Sequence, residues 1–330
     1  MAGEPLALAI DIGGTSIRFG LIDASGSLHG ESVRYPVPFE DDGRASPQGL
    51  IALMEPHVEA ALAAAGDAVA IGLSLCGNVD TVTGEAVLVP NLHWQNLPFG
   101  QMIADHFGRP VYAATDVRQA ALAEAVWGAA RGVRNFVWAT VGTGYGGYLF
   151  LEGRLYGGSH GFAGNFGHTP YDEINGYRCG CGHWGCFETF VAGPAIARGG
   201  QILVDKERSP TLAALAGGAP VTARLVFDAV DAGDPAAGQL MDDVIRLICM
   251  NLSGVVNLLD LDMIVMGGGV VQAASWFVER IDRRIRDYLM TVEARRDLRV
   301  VRESFPNSAL WGAAANVFAI QGILDSSLLG

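Results

Sequence analysis

Positive charge is in short supply in this chain. Lys plus Arg number 22 against 35 Asp plus Glu, a formal net charge of -13, and such a surface repels phosphodiester backbones and anionic lipids. Nucleic acid and membrane are therefore not expected partners. No run of 18 or more apolar residues occurs, and the opening MAGEPLALAIDIGG has no basic segment ahead of its apolar run. With neither a spanning segment nor a leader pattern, a cytoplasmic protein is expected. Five cysteines in 330 residues make a poor disulfide framework in a reducing compartment and suit a metal site with two bystanders, Cys76 and Cys249. Short-period repeats are lacking. So are the Gly-Lys-Ser/Thr of a Walker loop and the dinucleotide fingerprint with a helix directly after its turn.

What is present is a long chain, half apolar, able to bury a substantial core and long enough for two domains. Its 44 glycines gather in short clusters at strand ends, where they mark tight turns or phosphate loops. LALAIDIGG, AIGLSLCG, FVWATVGTG and DMIVMGGG are four apolar runs that end in glycine, as buried strands delivering the chain to a ligand edge do. RPVYAATD reads as a further strand and RQAALAEAVWGAA as a helix, which places Asp116 where one becomes the other. AAGQLMDDVIRLICMNLSGVVNLLD and WFVERIDRRIRDYLM carry the three-and-four apolar spacing of amphipathic helices. The alternation predicts an α/β protein with more than one sheet and a domain boundary near Asp116. Residues 204–223, with Ser, Pro and Gly, read as a surface insertion.

Five stretches could carry chemistry. In DIGGTSIRFGLID, Asp11 stands at a strand tip, Gly13 and Gly14 let backbone amides approach an anion, Thr15 and Ser16 add donors, and Asp11 could hold a hydrated magnesium; a plain β-hairpin with an acidic cap fits the same residues. In VGTGYGGYLF, Gly142, Thr143 and Gly144 sit among more glycines than one hairpin needs, and an anion-binding run of amides explains them. Gly267, Gly268 and Gly269 end a strand and would let a base or ribose lie on the backbone, or form an ordinary turn. Cys179, Cys181 and Cys186, with His168 eleven residues upstream, supply four ligands for a closed, structural zinc site; it would fix His168 and Glu188 at a substrate. His183 is a rival ligand. Asp116 could take a proton from a hydroxyl as it attacks phosphorus, or simply cap its helix.

DIGGTSIRFG, VGTGYGG, CGCGHWGCFE and VMGGG, in this order, resemble the ROK family of sugar kinases and repressors, within the actin-like ATPase superfamily. The likeness spans about Leu8 to Ile323, and its most specific element is the run from Cys179 to Glu188. The resemblance implies two actin-like (ribonuclease H-like) α/β domains around a cleft with a structural zinc loop. It implies a domain of residues 1–117 plus about 308–330, a larger one of 118–307, and a last helix, around Ala309 to Ile323, that returns to the first. ATP and Mg2+ are the implied cofactors beside Zn2+. Asp116 would be the base, and Asp11 would assist magnesium. Gly13, Gly14, Thr15, Gly142, Thr143 and Gly144 would hold phosphates, and Gly267 to Gly269 would border the nucleotide. Gly77, Asn78 and Asn91 of CGNVD and VPNLHW would meet sugar hydroxyls together with Thr115, Asn165, His168 and Glu188. A homodimer or homotetramer is implied by analogy alone.

Three residues depart from the family pattern. Where ROK kinases show Asn-Asp-x-Asn around the base, this chain has Thr115-Asp116-Val117-Arg118; where they show Gly-Glu-x-Gly-His, it has Gly164-Asn165-Phe166-Gly167-His168. An amide in place of a carboxylate changes which hydroxyl geometry is preferred. Arg118 suits an anionic or carbonyl-bearing substituent if it faces the substrate, and is a surface residue if it does not. GHTP is similar to the continuation in allose kinases, and an unusual hexose, an N-acetylated amino sugar and a sugar-like polyol all fit as substrates. The leading expectation is an ATP-dependent sugar kinase. A catalytically degenerate sugar sensor is the alternative, and a repressor is disfavoured because the first strand leaves no room ahead of it for a helix-turn-helix.

Overall fold

The run LALAIDI forms strand β1 (Leu6–Ile12), and almost every residue of it is buried. The computed structural model describes residues 5–65 and 69–330, and the chain divides into two units. Unit 1 takes the described residues up to Gly132, Leu149–Ala163 and Ser304–Gly330; unit 2 takes Val133–Tyr148 and Gly164–Glu303. Among the described residues, no helix is long and apolar enough to cross a membrane.

In unit 1, β1 is followed by β2 (Ser16–Asp23), β3 (Leu28–Pro36), helix α1 (Pro47–Ala65) and β4 (Ala70–Leu75). Three short strands come next, β5 (Asn78–Val79), β6 (Ala86–Val89) and β7 (Trp94–Leu97), then α2 (Phe99–Phe107), β8 (Val111–Thr115) and α3 (Asp116–Val126). The main sheet has the order β3-β2-β1-β4-β8, and β5-β6-β7 form a small sheet of their own. β1 runs antiparallel to β2 and parallel to β4.

Strand alternation sends neighbouring residues of β1 to opposite faces. Leu8, Ile10 and Ile12 join a core with Leu50, Met54 and Val58 of α1, whereas Ala7 and Ala9 join a second core with Ala313, Ala314 and Val317 of the last helix, Ser308–Ile320. Asp11 falls on the alanine side. That side is lined by small residues because the helix lies very close: a Cβ on Gly72 would overlap the Ala313 carbonyl, and one on Gly312 would overlap the Gln119 carbonyl of α3.

Unit 2 is built on β9 (Phe136–Val141), the first part of β10 (Tyr145–Leu151), and later β12 (Met263–Gly267) and β13 (Arg299–Arg302); the last residues of β10, from Leu149, belong to unit 1, where they pair with β11 (Arg154–Tyr156). β12 is parallel to both β9 and β13, with Gly267 opposite Thr140. Its helices are α4 (Glu188–Val191), α5 (Gly193–Asp205), α6 (Pro210–Ala216), α7 (Ala223–Asp231), α8 (Pro235–Leu259), α9 (Gly269–Ala273), α10 (Ser275–Ile285) and α11 (Val292–Asp297).

The stretch 204–223 is not the surface insertion that its composition suggested. Ser209 caps α6 by accepting the Leu212 N–H at 3.1 Å, Pro210 follows at the first helical position, and Gly217 ends the helix in the left-handed conformation. Leu212 and Val221 are buried, and the Ser209 hydroxyl donates to Asp234, the cap of α8, at 2.6 Å. The Ser, Pro and Gly that looked like loop composition are the start and stop signals of a short packed helix.

Two glycine substitutions separate close packing from mere helix propensity. Gly312→Ala is expected to lower the melting temperature sharply, because its Cβ has no room. Gly238→Ala, inside α8 with nothing within 4 Å of the added carbon, is expected to stabilise by about 1 kcal/mol. Thermal denaturation of the two variants beside the parent checks both.

Candidate functional site

The register of the unit 1 sheet sets Asp11 between Arg18 on β2 and Ser74 on β4. Asp11 Oδ1 accepts the Ser74 hydroxyl at 2.8 Å, Oδ2 accepts the side-chain amide of Asn307 at 2.7 Å, and the Arg18 guanidinium lies 3.6 Å from Oδ2. Asn307 reaches Asp11 because it stands directly before the last helix, which covers the same face of the sheet.

β8 ends at Thr115, level with Leu75 of β4, and α3 starts at Asp116. Thr115, not Asp116, is the helix cap: its hydroxyl accepts the Arg118 N–H at 3.3 Å. Asp116 Oδ1 accepts the adjacent Val117 N–H at 2.8 Å, and burial together with the Asp11 charge pushes its carboxyl up from 3.8 to about 7. Arg118 turns to the end of the chain, donating to Asn316 Oδ1 and to the Leu329 carbonyl, each at 3.2 Å.

The β1–β2 turn completes this group. Gly13 N–H closes the turn on the Ser16 carbonyl at 2.9 Å, Thr15 has an exposed side chain, and a Cβ on Gly14 would come within 2.8 Å of the Asn91 Cβ. Asn91 therefore sits against the turn. Its amide also bonds the Cys76 side chain, whose thiol is pushed far up by burial and by the charges of Asp116 and Asp11. Gly77 packs on β6, where a Cβ would lie 2.6 Å from the Leu88 carbonyl, and Asn78 pairs with Leu88 at the start of β5.

Unit 2 holds a cavity of about 650 Å³ whose wall includes Gly142, Thr143, Gly193, Arg224, Phe227 and Gly269. The β9–β10 turn closes through Gly142 N–H to the Gly144 carbonyl at 2.9 Å, and Gly193 N–H donates to the Gly142 carbonyl at 2.7 Å. Gly269 opens α9 on this wall. Gly268 has φ +96°, a region closed to most side chains, and its N–H donates to Glu303 Oε1 at 3.2 Å; Gly267 lies under the Trp138 ring.

Elsewhere in unit 2 the ligand atoms of His168, Cys179, Cys181 and Cys186 all lie within 4.8 Å of one another. Cys181 Sγ is 3.7 Å from Cys186 Sγ, and Cys179 Sγ is 3.5 Å from His168 Nδ1. A tetrahedral zinc with bonds of about 2.3 Å to sulfur and about 2.05 Å to nitrogen has S–S edges of about 3.8 Å and S–N edges of about 3.6 Å, so the donor set fits that ion. His183 Nδ1 stands 3.4 Å from Cys181 Sγ, outside the group of four. Glu188, first residue of α4, accepts the Tyr145 N–H at 2.9 Å with Oε2, while Oε1 lies 3.2 Å from Cys179 Sγ. Asn165 is exposed and starts the short turn Phe166–His168, its carbonyl accepting the His168 N–H at 3.0 Å.

The sequence reading thus has its residues in several groups. Asp11, Gly14, Asn91 and Asp116 form one in unit 1; Gly142, Thr143 and Gly269 form a second in unit 2; and His168, the three cysteines and Glu188 form a third. Ser74, Arg18 and Asn307 were missed, and so was Cys76 as a neighbour of the two acids. Only strand register could have found Ser74 and Arg18, and Asn307 has no local signal. The cavity residues Gly193 to Ala197 and Val221 to Phe227 were missed because one stretch looked like an insertion.

A model of the ROK family matches residues 7–319. A glucokinase from Streptomyces coelicolor is 28% identical over 314 residues, covering 94% of this chain and 96% of that protein. An N-acetylmannosamine kinase from Vibrio vulnificus is 33% identical over 273 residues, with 82% and 84% covered. Among solved structures, a ROK family glucokinase from Streptomyces griseus in complex with glucose and AMPPNP superposes with a TM-score of 0.78 at 27% identity, over 94% of this chain and 98% of that one. The likeness runs from β1 to the last helix in both sequence and coordinates, through both units and the cysteine loop, and on that ground the chain belongs to the ROK family.

Proposed function

We propose that this protein is an ATP-dependent kinase of a hexose, an N-acetylhexosamine or a sugar-like polyol, with Asp116 as general base. The observation that carries the reading is a single carboxyl, pushed up to about 7 beside Asp11 and at the end of a strand. A group with that affinity for protons takes one from an alcohol far better than an ordinary aspartate does. The family relatives named above, which phosphorylate glucose or N-acetylmannosamine by name, support the same class of reaction.

In unit 1, Asp116 accepts the hydroxyl proton as the oxygen attacks the γ-phosphorus of ATP and the bond to the β-phosphate oxygen breaks. In unit 1, Asn91, Asn78 and the Gly77 backbone would orient the sugar; in unit 2, Asn165, His168 and Glu188 are the sugar contacts that the resemblance implies. In unit 2, the amides of Thr143 and Gly144 direct themselves at phosphate oxygens, and the cavity beside Gly269 receives the nucleoside. Magnesium, when bound, neutralises phosphate charge; two neighbouring acids with one guanidinium 3.6 Å from Asp11 suit a hydrated divalent ion, and Asp11 would hold its water. Zinc, when bound by His168, Cys179, Cys181 and Cys186, would pin the cysteine loop. His168 Nδ1 faces the sulfurs, which leaves Nε2 for a sugar hydroxyl.

A second reading, sugar binding without transfer, draws on Asn165 standing where the family has a glutamate. A panel of hexoses, N-acetylhexosamines and polyols assayed for ATP consumption distinguishes them. Turnover on at least one member supports the kinase, and binding of a sugar with no turnover on any supports the sensor.

Asp116→Asn is expected to lower kcat at least about a hundredfold while sugar and ATP affinities stay near the parent values, and kcat/KM of the parent should fall as pH drops through about 7, where the base becomes protonated. The same variant should melt higher than the parent at pH 8. The folded protein holds the Asp116 proton up to about 7 against 3.8 in the ordinary group, so its ionised form opposes folding above that range, and the amide removes the cost. Metal analysis should find about one zinc per chain, and Cys181→Ser should lower both zinc content and melting temperature.

A further inference from the structure

We infer that Glu188 is a positioning residue for the turn Gly142–Tyr145, so that nucleotide affinity depends on the cysteine loop as well as on the turn. The inference rests on the reading of that turn as the phosphate-binding element. The turn is held at both ends by one short stretch of chain. At its end, Glu188 Oε2 accepts the Tyr145 N–H at 2.9 Å; at its start, the Gly142 carbonyl accepts the Gly193 N–H at 2.7 Å. The carboxylate is seated directly on the turn, since a Cβ on Gly144 would lie 2.8 Å from Glu188 Oε2.

Glu188 is itself fixed by the cysteine loop. It stands two residues after Cys186, whose carbonyl accepts both the Thr189 N–H at 2.9 Å and the Thr189 hydroxyl at 2.8 Å, so α4 starts on a residue of the cysteine cluster. Phe187 N–H donates to the Thr169 carbonyl at 3.1 Å, tying the same step to the residue after His168. The other carboxylate oxygen lies 3.2 Å from Cys179 Sγ. Gly142, Thr143 and Gly193 all line the cavity of unit 2. A loosened cysteine loop therefore releases the acceptor that holds Tyr145, and the amides of Thr143 and Gly144 must then be ordered at the expense of binding. A role confined to sugar contact would leave nucleotide binding in the absence of sugar untouched.

Calorimetric titration of the full chain with AMPPNP and magnesium, without sugar, tests this. Glu188→Ala and Glu188→Asp are expected to bind roughly tenfold more weakly than the parent. Glu188→Gln should stay within about twofold, because its amide oxygen still accepts the Tyr145 N–H. Circular dichroism and melting curves establish folding, and the Asp variant carries the test if the Ala variant does not fold. Parent protein stripped of zinc should match the Ala variant and regain affinity when zinc is restored. Unchanged nucleotide affinity in the Ala or Asp variant, with only the sugar KM raised, overturns the inference. Thr143→Pro, which removes one of the two amides assigned to phosphate, separates the two layers: if it weakens AMPPNP binding and the Glu188 variants do not, the inference alone falls. If neither does while the parent binds, the turn is not the phosphate element and the reading beneath falls with it.

Discussion

The closeness of the last helix to the alanine face of the central sheet is the constraint on which unit 1 depends. β1 puts bulk on one side and Ala7, Ala9 and Asp11 on the other, and only small residues there let the backbone of Ala313 lie almost against Gly72. With larger side chains the helix would stand off, and Asn307 at its head would no longer reach Asp11. The acid is thus held by three different elements, β2, β4 and the helix entry, and each is placed by packing that has nothing chemical about it. Among the described residues Asp116 has no such ring of side-chain donors, and its neighbour Asp11 adds negative charge. That contrast explains why the Asp116 carboxyl is pushed up to about 7, so that its ionised form is one the fold accommodates poorly.

Unit 2 solves a different problem, the fixing of a glycine-rich turn that has little stiffness of its own. It does so from outside, through a carboxylate and a backbone amide carried by the chain that leaves the cysteine cluster. Four ligand atoms lie within 4.8 Å of one another in a loop whose own backbone includes Gly182 at φ +95° and Gly185 at φ +70°. A metal there would act at a distance from any reacting atom, as a weight-bearing point for the elements on either side of it.

Much of this was legible in the chain. The four apolar runs ending in glycine are β1, β4, β9 and β12, and the step from strand to helix at Asp116 is where the spacing placed it, because buried strands and capped helices leave periodic and local signals. The cysteine cluster was legible for the same reason, its ligands being within nineteen residues of sequence from His168 to Cys186. What could not be read were contacts set by register or by long loops: Ser74 and Arg18 beside Asp11, Asn307 nearly three hundred residues away in sequence, and the cavity wall from Val221 to Phe227. Arg118 was ambiguous, since only the folded chain shows it bound to Asn316 and Leu329.

From Glu188 to Gly193 the chain leaves one anchor and arrives at the next, with the single helical turn α4 and Ala192 between them. Adding or deleting one residue there would rotate the following helix by about 100° and carry the Gly193 amide off the Gly142 carbonyl. Relatives that keep the turn should accordingly keep this length to the residue.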